Sequence, residues 1–173
     1  MNFKKIYLGL GIAALFFASC TTEEDVYVAP SLGTYDKGVL VVNEGNFGTP
    51  NGSISFLAND FSIFQNDIYA TENPGEILGD VVQSISFSGD KAFIVVNNSN
   101  VIQVVNRYSF KKVATITEGL NKPRYSTSSN GKLFVTNSGT KSVSVYDLST
   151  FAFITNISID KTVEKIVAAN HKI

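Results

Sequence analysis

The chain is poor in the residues that build metal and redox sites. Its 173 residues include one Cys, one His, one Met and no Trp. A Cys/His metal cluster needs several such side chains, so the composition excludes one. Lys and Arg number 14 against 15 Asp and Glu, which gives a formal net charge of -1. Because the two signs are interspersed, no basic surface for a nucleic acid is expected.

The residues that are abundant are typical of an all-β protein. Val, Ile, Phe, Thr and Ser are frequent, and apolar stripes at helical spacing are scarce. A chain of this length can fill one ordinary domain and bury a substantial core. We therefore expect a single β-rich domain after any leader sequence.

Residues 1–19 have the pattern of a signal peptide. Lys4 and Lys5 precede an apolar run, 6–17, that is too short to span a bilayer comfortably. Ala18-Ser19-Cys20 then resembles the lipobox of bacterial lipoproteins, although Phe17 stands where Leu is usual. The resemblance implies cleavage before Cys20 and its acylation, which would hold the mature protein on a membrane. The alternative is an ordinary secretory signal followed by an unrelated cysteine.

An acidic cluster, Thr21-Thr22-Glu23-Glu24-Asp25, comes directly after the cysteine. It resembles the surface-export signal of Bacteroidetes lipoproteins, and it also has the composition of a solvated tether. Residues 20–37 are therefore predicted to be a lipidated cysteine and a tether. Localisation in the outer membrane, facing the cell exterior, is the expectation.

A unit of short strands recurs along the rest of the chain. Three apolar runs each end in Asn, at Asn43, Asn97 and Asn137. A second strand follows each run, and a third is expected to begin at Phe61, Phe110 and Phe151. A further strand precedes the second and third runs, at 84–88 and 125–128, with turn signals at 89–90 and 130–131. Four antiparallel strands in about 40 residues predict a β-propeller blade.

The run Phe93-Ile94-Val95-Val96 supports this interpretation because it does not alternate with polar residues. A strand that is open to water on one face alternates, whereas a strand covered on both faces by neighbouring blades does not. A β-sandwich is the alternative fold, and the fixed spacing of the repeat disfavours it.

Several segments resemble a known family. "FVTN", "SVSVYDLST" and "NKPRY" look like the YVTN-type propeller repeat, and "VVNEGNFGTPNGSISF", "LGDVVQSI" and "AFIVVNNSN" look like YncE-like surface lipoproteins of Bacteroidetes. The resemblance covers residue 38 to the C-terminus. It implies a seven-bladed propeller in the full-length protein, within a group that includes cobalamin-capturing lipoproteins.

The repeat predicts an incomplete arc of about three four-stranded blades. Blade one is assigned to 38–80 without its inner strand, blade two to 81–121, blade three to 122–162, and the start of blade four to 163–173. In the last segment, Ile166-Val167-Ala168-Ala169 matches an inner strand. Such an arc leaves two apolar blade faces uncovered, so a truncated chain with poor solubility or self-association is the expectation.

In an up-and-down blade, alternate connections emerge on the same face, so several loops are predicted to share one rim. Gln83, Arg124 and Glu164 occupy one repeat position, 41 and then 40 residues apart. The candidate ligand-binding residues on this rim are Glu44, Asn46, Phe47, Asp80, Gln83, Arg124, Tyr125 and Glu164. The glycines of the first loop and the recurring Asn43, Asn97 and Asn137 have a structural explanation as well, in turns and strand ends.

The leading functional hypothesis is capture of a small ligand for a TonB-dependent outer-membrane transporter. Amides, charges and an aromatic ring suit a polar, ring-containing molecule, and the family resemblance suggests cobalamin. No catalytic residue, metal or cofactor is assigned. The alternatives are a propeller enzyme of lactonase or oxidoreductase type, which would need convergent carboxylates, His or a metal, and a surface adhesion or scaffold protein.

Overall fold

The computed structural model describes residues 30–169 and 172–173. The predicted signal peptide, Cys20, the acidic cluster and the terminal Asn170 and His171 lie outside the described residues. A compact unit begins at Ser31. In the part of the chain that is described, no helix is long and apolar enough to cross a bilayer.

Eleven strands and one short helix, α1, are present among the described residues. The helix covers Ile68–Glu72, and the strands are β1 Gly38–Asn43, β2 Ser53–Ala58, β3 Phe64–Gln65, β4 Val82–Ser88, β5 Lys91–Val96, β6 Val101–Asn106, β7 Lys112–Ile116, β8 Pro123–Ser129, β9 Lys132–Asn137, β10 Ser142–Asp147 and β11 Phe153–Ser158. They form three antiparallel meanders, ordered β1-β2-β3, β4-β5-β6-β7 and β8-β9-β10-β11. These sheets are blades one, two and three.

Blade two is buried on both faces, as the unalternating run predicted. Ala92, Ile94 and Val96 of β5 pack into one apolar cluster together with side chains of blade one. Phe93 and Val95, which point the other way, pack into a second cluster with side chains of blade three. The fold is therefore an incomplete β-propeller arc, and the predicted fold class is confirmed.

The outer faces of the arc carry exposed apolar side chains. On blade one, Val39 and Val41 of β1 are about half exposed. On blade three, the same holds for Ile154 and Ile157 of β11. In the described residues β1 pairs with β2 alone, so blade one has three strands, as predicted.

The third strand of each blade begins later than the sequence pattern predicted. Phe61, Phe110 and Phe151, proposed as first residues, lie in the preceding turns with φ of 59°, 57° and 60°. Asp147 shows how blade three makes this turn, because its Oδ1 accepts hydrogen bonds from the backbone N–H groups of Ser149 and Thr150, both at 2.9 Å. A left-handed residue then redirects the chain into the outer strand.

Two further expectations are corrected by the structure. Residues 166–169 do not form an inner strand of a fourth blade, and only an isolated bridge joins Ala169 to Lys172. The tether was expected to continue to residue 37, yet Tyr35 is buried in the cluster between blades one and two. Its backbone N–H donates to Tyr108 O at 2.9 Å, so the packed region starts before β1.

The long spacing between the first two repeats comes partly from helix α1, which sequence patterns did not indicate. The helix is short, and buried Ile68 and Tyr69 anchor it to the cluster between blades one and two. Asn73 follows the helix, and its Nδ2 donates to Phe110 O at 3.0 Å. Tertiary packing therefore stabilises a helix that is too short to be stable alone.

Two buried tyrosines provide a direct test of the core. Burial raises the pKa of both Tyr69 and Tyr146 to about 12, so both hydroxyls remain neutral near pH 7. Tyr146 donates to Glu118 O at 2.6 Å, whereas the Tyr69 hydroxyl has no hydrogen-bond partner among the described residues. We expect Tyr69→Phe to increase the free energy of unfolding by about 1 kcal/mol and Tyr146→Phe to decrease it by about 1 kcal/mol. Urea denaturation measures both, and equal losses in the two variants would contradict this reading of the core.

The Asp147 turn predicts a pH dependence of stability. Hydrogen bonds from the Ser149 hydroxyl and then from the Thr150 and Ser149 N–H groups lower the pKa of Asp147 to about 2. Because the folded-state pKa lies below the ordinary value, the stabilisation is present above about pH 4 and lost as the pH falls towards 2. Asn106 makes the same turn in blade two with an amide oxygen, so Asp147→Asn keeps the geometry.

We expect Asp147→Asn to be less stable than the wild type at pH 7 and to approach it near pH 2. Thermal unfolding of both proteins at several pH values measures the difference. A difference that stays constant from pH 7 to pH 2 would rule out the carboxylate as its source.

Candidate functional site

A row of three polar side chains, two of them on the inner strands β4 and β8, lies at one rim of the arc. Arg124 Nη1 donates to Gln83 Oε1 at 2.6 Å, and its Nε donates to Glu164 Oε2 at 2.8 Å. The repeat spacing predicted that these residues occupy equivalent positions, and the structure brings all three together. We call Gln83, Arg124 and Glu164 the rim row.

Backbone irregularities position two members of the rim row. The pairing of β4 with β5 shifts register between Val82 and Ser84, and that of β8 with β9 shifts between Pro123 and Ser126. Gln83 and Arg124 therefore lie in equivalent bulges. Bulges redirect side chains and are frequent beside functional sites.

The third member is held although no fourth blade is present in the described residues. Thr136 Oγ1 donates to Glu164 O at 2.7 Å, which attaches the segment around Glu164 to β9. Arg124 and Glu164 remain partly exposed, at 28% and 49% of their side-chain surfaces. The row is thus accessible to a ligand, and its ion pair contributes little to stability because it is solvated.

Serines continue the polar surface below the rim row. Ser84 Oγ donates to Arg124 O at 2.8 Å, and Ser86 Oγ lies 2.6 Å from Ser126 Oγ, so they link the inner strands of blades two and three. The repeat pattern had predicted no role for these serines. The sequence nevertheless contains a pattern that could have indicated them, because Ser84 and Ser86 are two residues apart in β4 and so lie on one face of the strand.

The Asn- and Gly-rich loop of residues 44–52 packs against the segment that leads into β4. Val82 N–H donates to Glu44 O at 3.0 Å, and Gly48 N–H donates to both carboxylate oxygens of Asp80, at 3.2 and 3.0 Å. Gly48 has φ of 80°, a conformation that favours glycine. The two loops therefore share one rim, and hydrogen bonds hold them together.

Asp80 has a structural role in this arrangement. Its side chain also accepts a hydrogen bond from Asn98 Nδ2 at 2.5 Å, and its backbone N–H donates to Ser99 Oγ at 2.9 Å. Asp80 is buried. The carboxylate thus joins the loop of blade one to the turn of blade two, which leaves little of it for a ligand.

The other predicted residues differ in what they present to solvent. Phe47 is 79% exposed at the tip of its loop, and Glu44 is also exposed. Asn46 forms a hydrogen bond through its backbone, because its N–H donates to Asn51 Oδ1 at 2.8 Å. Tyr125 is half-buried, and its N–H donates to Thr136 Oγ1 at 3.0 Å. Among the described residues, no hydrogen bond joins the side chain of Phe47 or Tyr125 to the rim row.

The recurring asparagines hold strands together. Asn43 Nδ2 donates to Ser55 Oγ at 2.9 Å, and in blade three Asn137 Nδ2 donates to Ser144 Oγ at 2.7 Å. Asn97 differs, because it follows β5 and donates to Pro123 O of the next blade at 2.9 Å. The structural interpretation of all three residues therefore accounts for their recurrence.

The chemistry available at the rim is hydrogen bonding and ion pairing. Its accessible groups are a guanidinium, a carboxylate and an amide, with an exposed phenyl ring on a neighbouring loop. In the described residues no three His, Cys, Asp or Glu side chains lie close enough together to hold a metal ion.

Comparison with solved structures gave matches of low sequence identity. Two similar solved structures are AztD from Citrobacter koseri, at 13% identity with a TM-score of 0.48, and its apo form, at 12% with a TM-score of 0.43. The first match covers 81% of this chain and 42% of AztD, and the second covers 64% and 31%. The chain thus spans less than half the length of either. No curated protein matches it.

A family model matches residues 37–173, which include the three blades and the whole rim row. Its description is Domain of unknown function (DUF5074). The chain belongs to this family.

Proposed function

We propose that this protein captures a polar, ring-containing small molecule at the rim row for a TonB-dependent outer-membrane transporter. The observation that carries the proposal is the hydrogen-bonded set Gln83, Arg124 and Glu164, which occupy equivalent positions of the repeat. Three equivalent positions carry an amide, a cation and an anion. A purely structural repeat would not require such different groups at equivalent positions.

The charge arrangement supports a ligand that carries amide groups. Arg124 offers further N–H donors beyond the two that bind its neighbours, and Glu164 and Gln83 supply acceptors. Phe47, exposed on the neighbouring loop, offers a ring for stacking. Corrinoids combine a large ring system with peripheral amides, and cobalamin is the specific ligand that we propose.

Surface anchoring is the second part of the proposal. The lipobox-like Ala18-Ser19-Cys20 and the acidic cluster after it support a lipoprotein of the outer membrane that faces the exterior. Acylation of Cys20 would keep the propeller close to a transporter in the same membrane. A tethered binding protein presents its ligand at a high effective concentration.

The ligand proposal predicts that cobalamin binds the mature protein and that Arg124→Ala weakens binding at least tenfold, because charge-assisted hydrogen bonds are lost. Isothermal titration calorimetry measures the affinity. Arg107→Ala is the matched control, because Arg107 stacks on Phe87 and Tyr108, away from the rim row. No binding at micromolar protein would exclude cobalamin, and equal losses in both variants would exclude the rim row.

The anchoring proposal predicts that protease added to intact cells removes the propeller. Loss of the immunoblot signal from whole cells is expected, while a periplasmic marker protein should survive. Survival of both signals would contradict surface display. Cys20→Ala should release the protein from the membrane fraction, because the acylated residue is lost.

A further inference from the structure

A cavity lies between blades two and three, at the end of the arc opposite the rim row. Its volume is about 540 Å³. The lining combines the apolar residues Phe93, Leu148 and Phe151 with polar and charged residues, among them Ser88, Asp90, Lys91 and Asp147. We call it the interblade cavity. Its lining includes none of the rim-row residues.

The repeat supplies an internal comparison for this cavity. One backbone hydrogen bond recurs in each repeat and identifies equivalent positions. Its donor and acceptor are Asn59 N–H and Lys37 O, Arg107 N–H and Asp90 O, and Leu148 N–H and Gly131 O. Two residues before these acceptors, Tyr35, which precedes β1, is therefore equivalent to Ser88 of β4. The equivalent cavity between blades one and two measures about 170 Å³ and is lined in part by Tyr35.

Tyr35 shows how an aromatic ring fits this position. Its ring packs edge-on against Phe56 and Phe110, with centroid distances of 5.3 and 5.7 Å. Phe110 is the equivalent of Phe151, because each N–H donates to the backbone oxygen four residues earlier. In the interblade cavity a small Ser88 side chain takes the place of the tyrosine, and Phe151 keeps an edge contact with Phe93 at 6.0 Å.

The polar groups of the cavity indicate what the ring should carry. Asp147 uses Oδ1 to hold its own turn, and no hydrogen bond to its Oδ2 is found among the described residues. The other two charged residues of the lining, Lys91 and Asp90, pair with each other, because Lys91 Nζ lies 2.7 Å from Asp90 Oδ1. The carboxylate of Asp147 is therefore the group available to a cation.

We propose that the interblade cavity is a second binding site, which takes an aromatic ring bearing an ammonium group. The ring lies against Phe151 as Tyr35 lies against Phe110, and the ammonium pairs with Asp147. The site is independent of the rim row, so it stands whether or not the rim binds a corrinoid.

Tyramine is the probe, and backbone amide chemical shifts of Gly89, Gly131 and Ser149 are the readout. A ligand of this size in an open cavity is expected to bind with a Kd on the order of 1 mM. Ser88→Tyr should abolish the saturable shifts, because the new ring fills the cavity as Tyr35 fills its equivalent. Ser129→Tyr is the matched control, because Ser129 of blade three is the equivalent of Ser88 but does not line the interblade cavity. This variant should bind tyramine like the wild type.

A second variant makes the test independent of how well Ser88→Tyr folds. Asp147→Asn keeps the turn and removes the charge, so tyramine should bind about two- to fivefold more weakly, as expected for a solvated ion pair. p-Cresol, which lacks the amine, should bind both proteins equally. The proposal is overturned if the wild type shows no saturable shifts, if folded Ser88→Tyr binds tyramine like the wild type, or if Asp147→Asn leaves its affinity unchanged.

Discussion

The burial of both faces of blade two is the constraint on which the structure depends. Its central strands send alternate side chains into two separate apolar clusters. Each fully buried Val or Ile contributes about 1.5–3 kcal/mol relative to exposure, so blade two requires a neighbour on each side. This packing keeps the inner strands side by side, and it thereby sets the spacing of the polar groups at the rim.

Repetition explains how a chain with few charged residues builds a polar row. Equivalent positions on successive blades meet automatically once the blades pack, so residues about 40 positions apart come into hydrogen-bond contact, as Gln83 and Arg124 do. The same repetition gives the asparagines and serines their ladder of bonds between strands. We propose that the positions where the repeat is broken carry the function.

Two such breaks lie at opposite ends of the arc. At the rim, an amide, a guanidinium and a carboxylate replace one another at a single repeat position. At the other end, the tyrosine that precedes blade one corresponds to a serine in blade two, and the cavity between blades is about 170 Å³ at the first position and about 540 Å³ at the second. In both cases the scaffold stays constant while the side chain changes, which is how a repeat fold acquires individual sites.

The sequence by itself determined the blade, the strand order and the equivalence of Gln83, Arg124 and Glu164, because strand periodicity and repeat spacing are local properties. Only the tertiary structure decided that Asp80 joins two loops through hydrogen bonds, that Tyr35 belongs to the core, and that residues 68–72 are helical. These features depend on contacts between segments that are far apart in the chain. Such contacts leave no periodic pattern, so they become visible only when the blades are packed together.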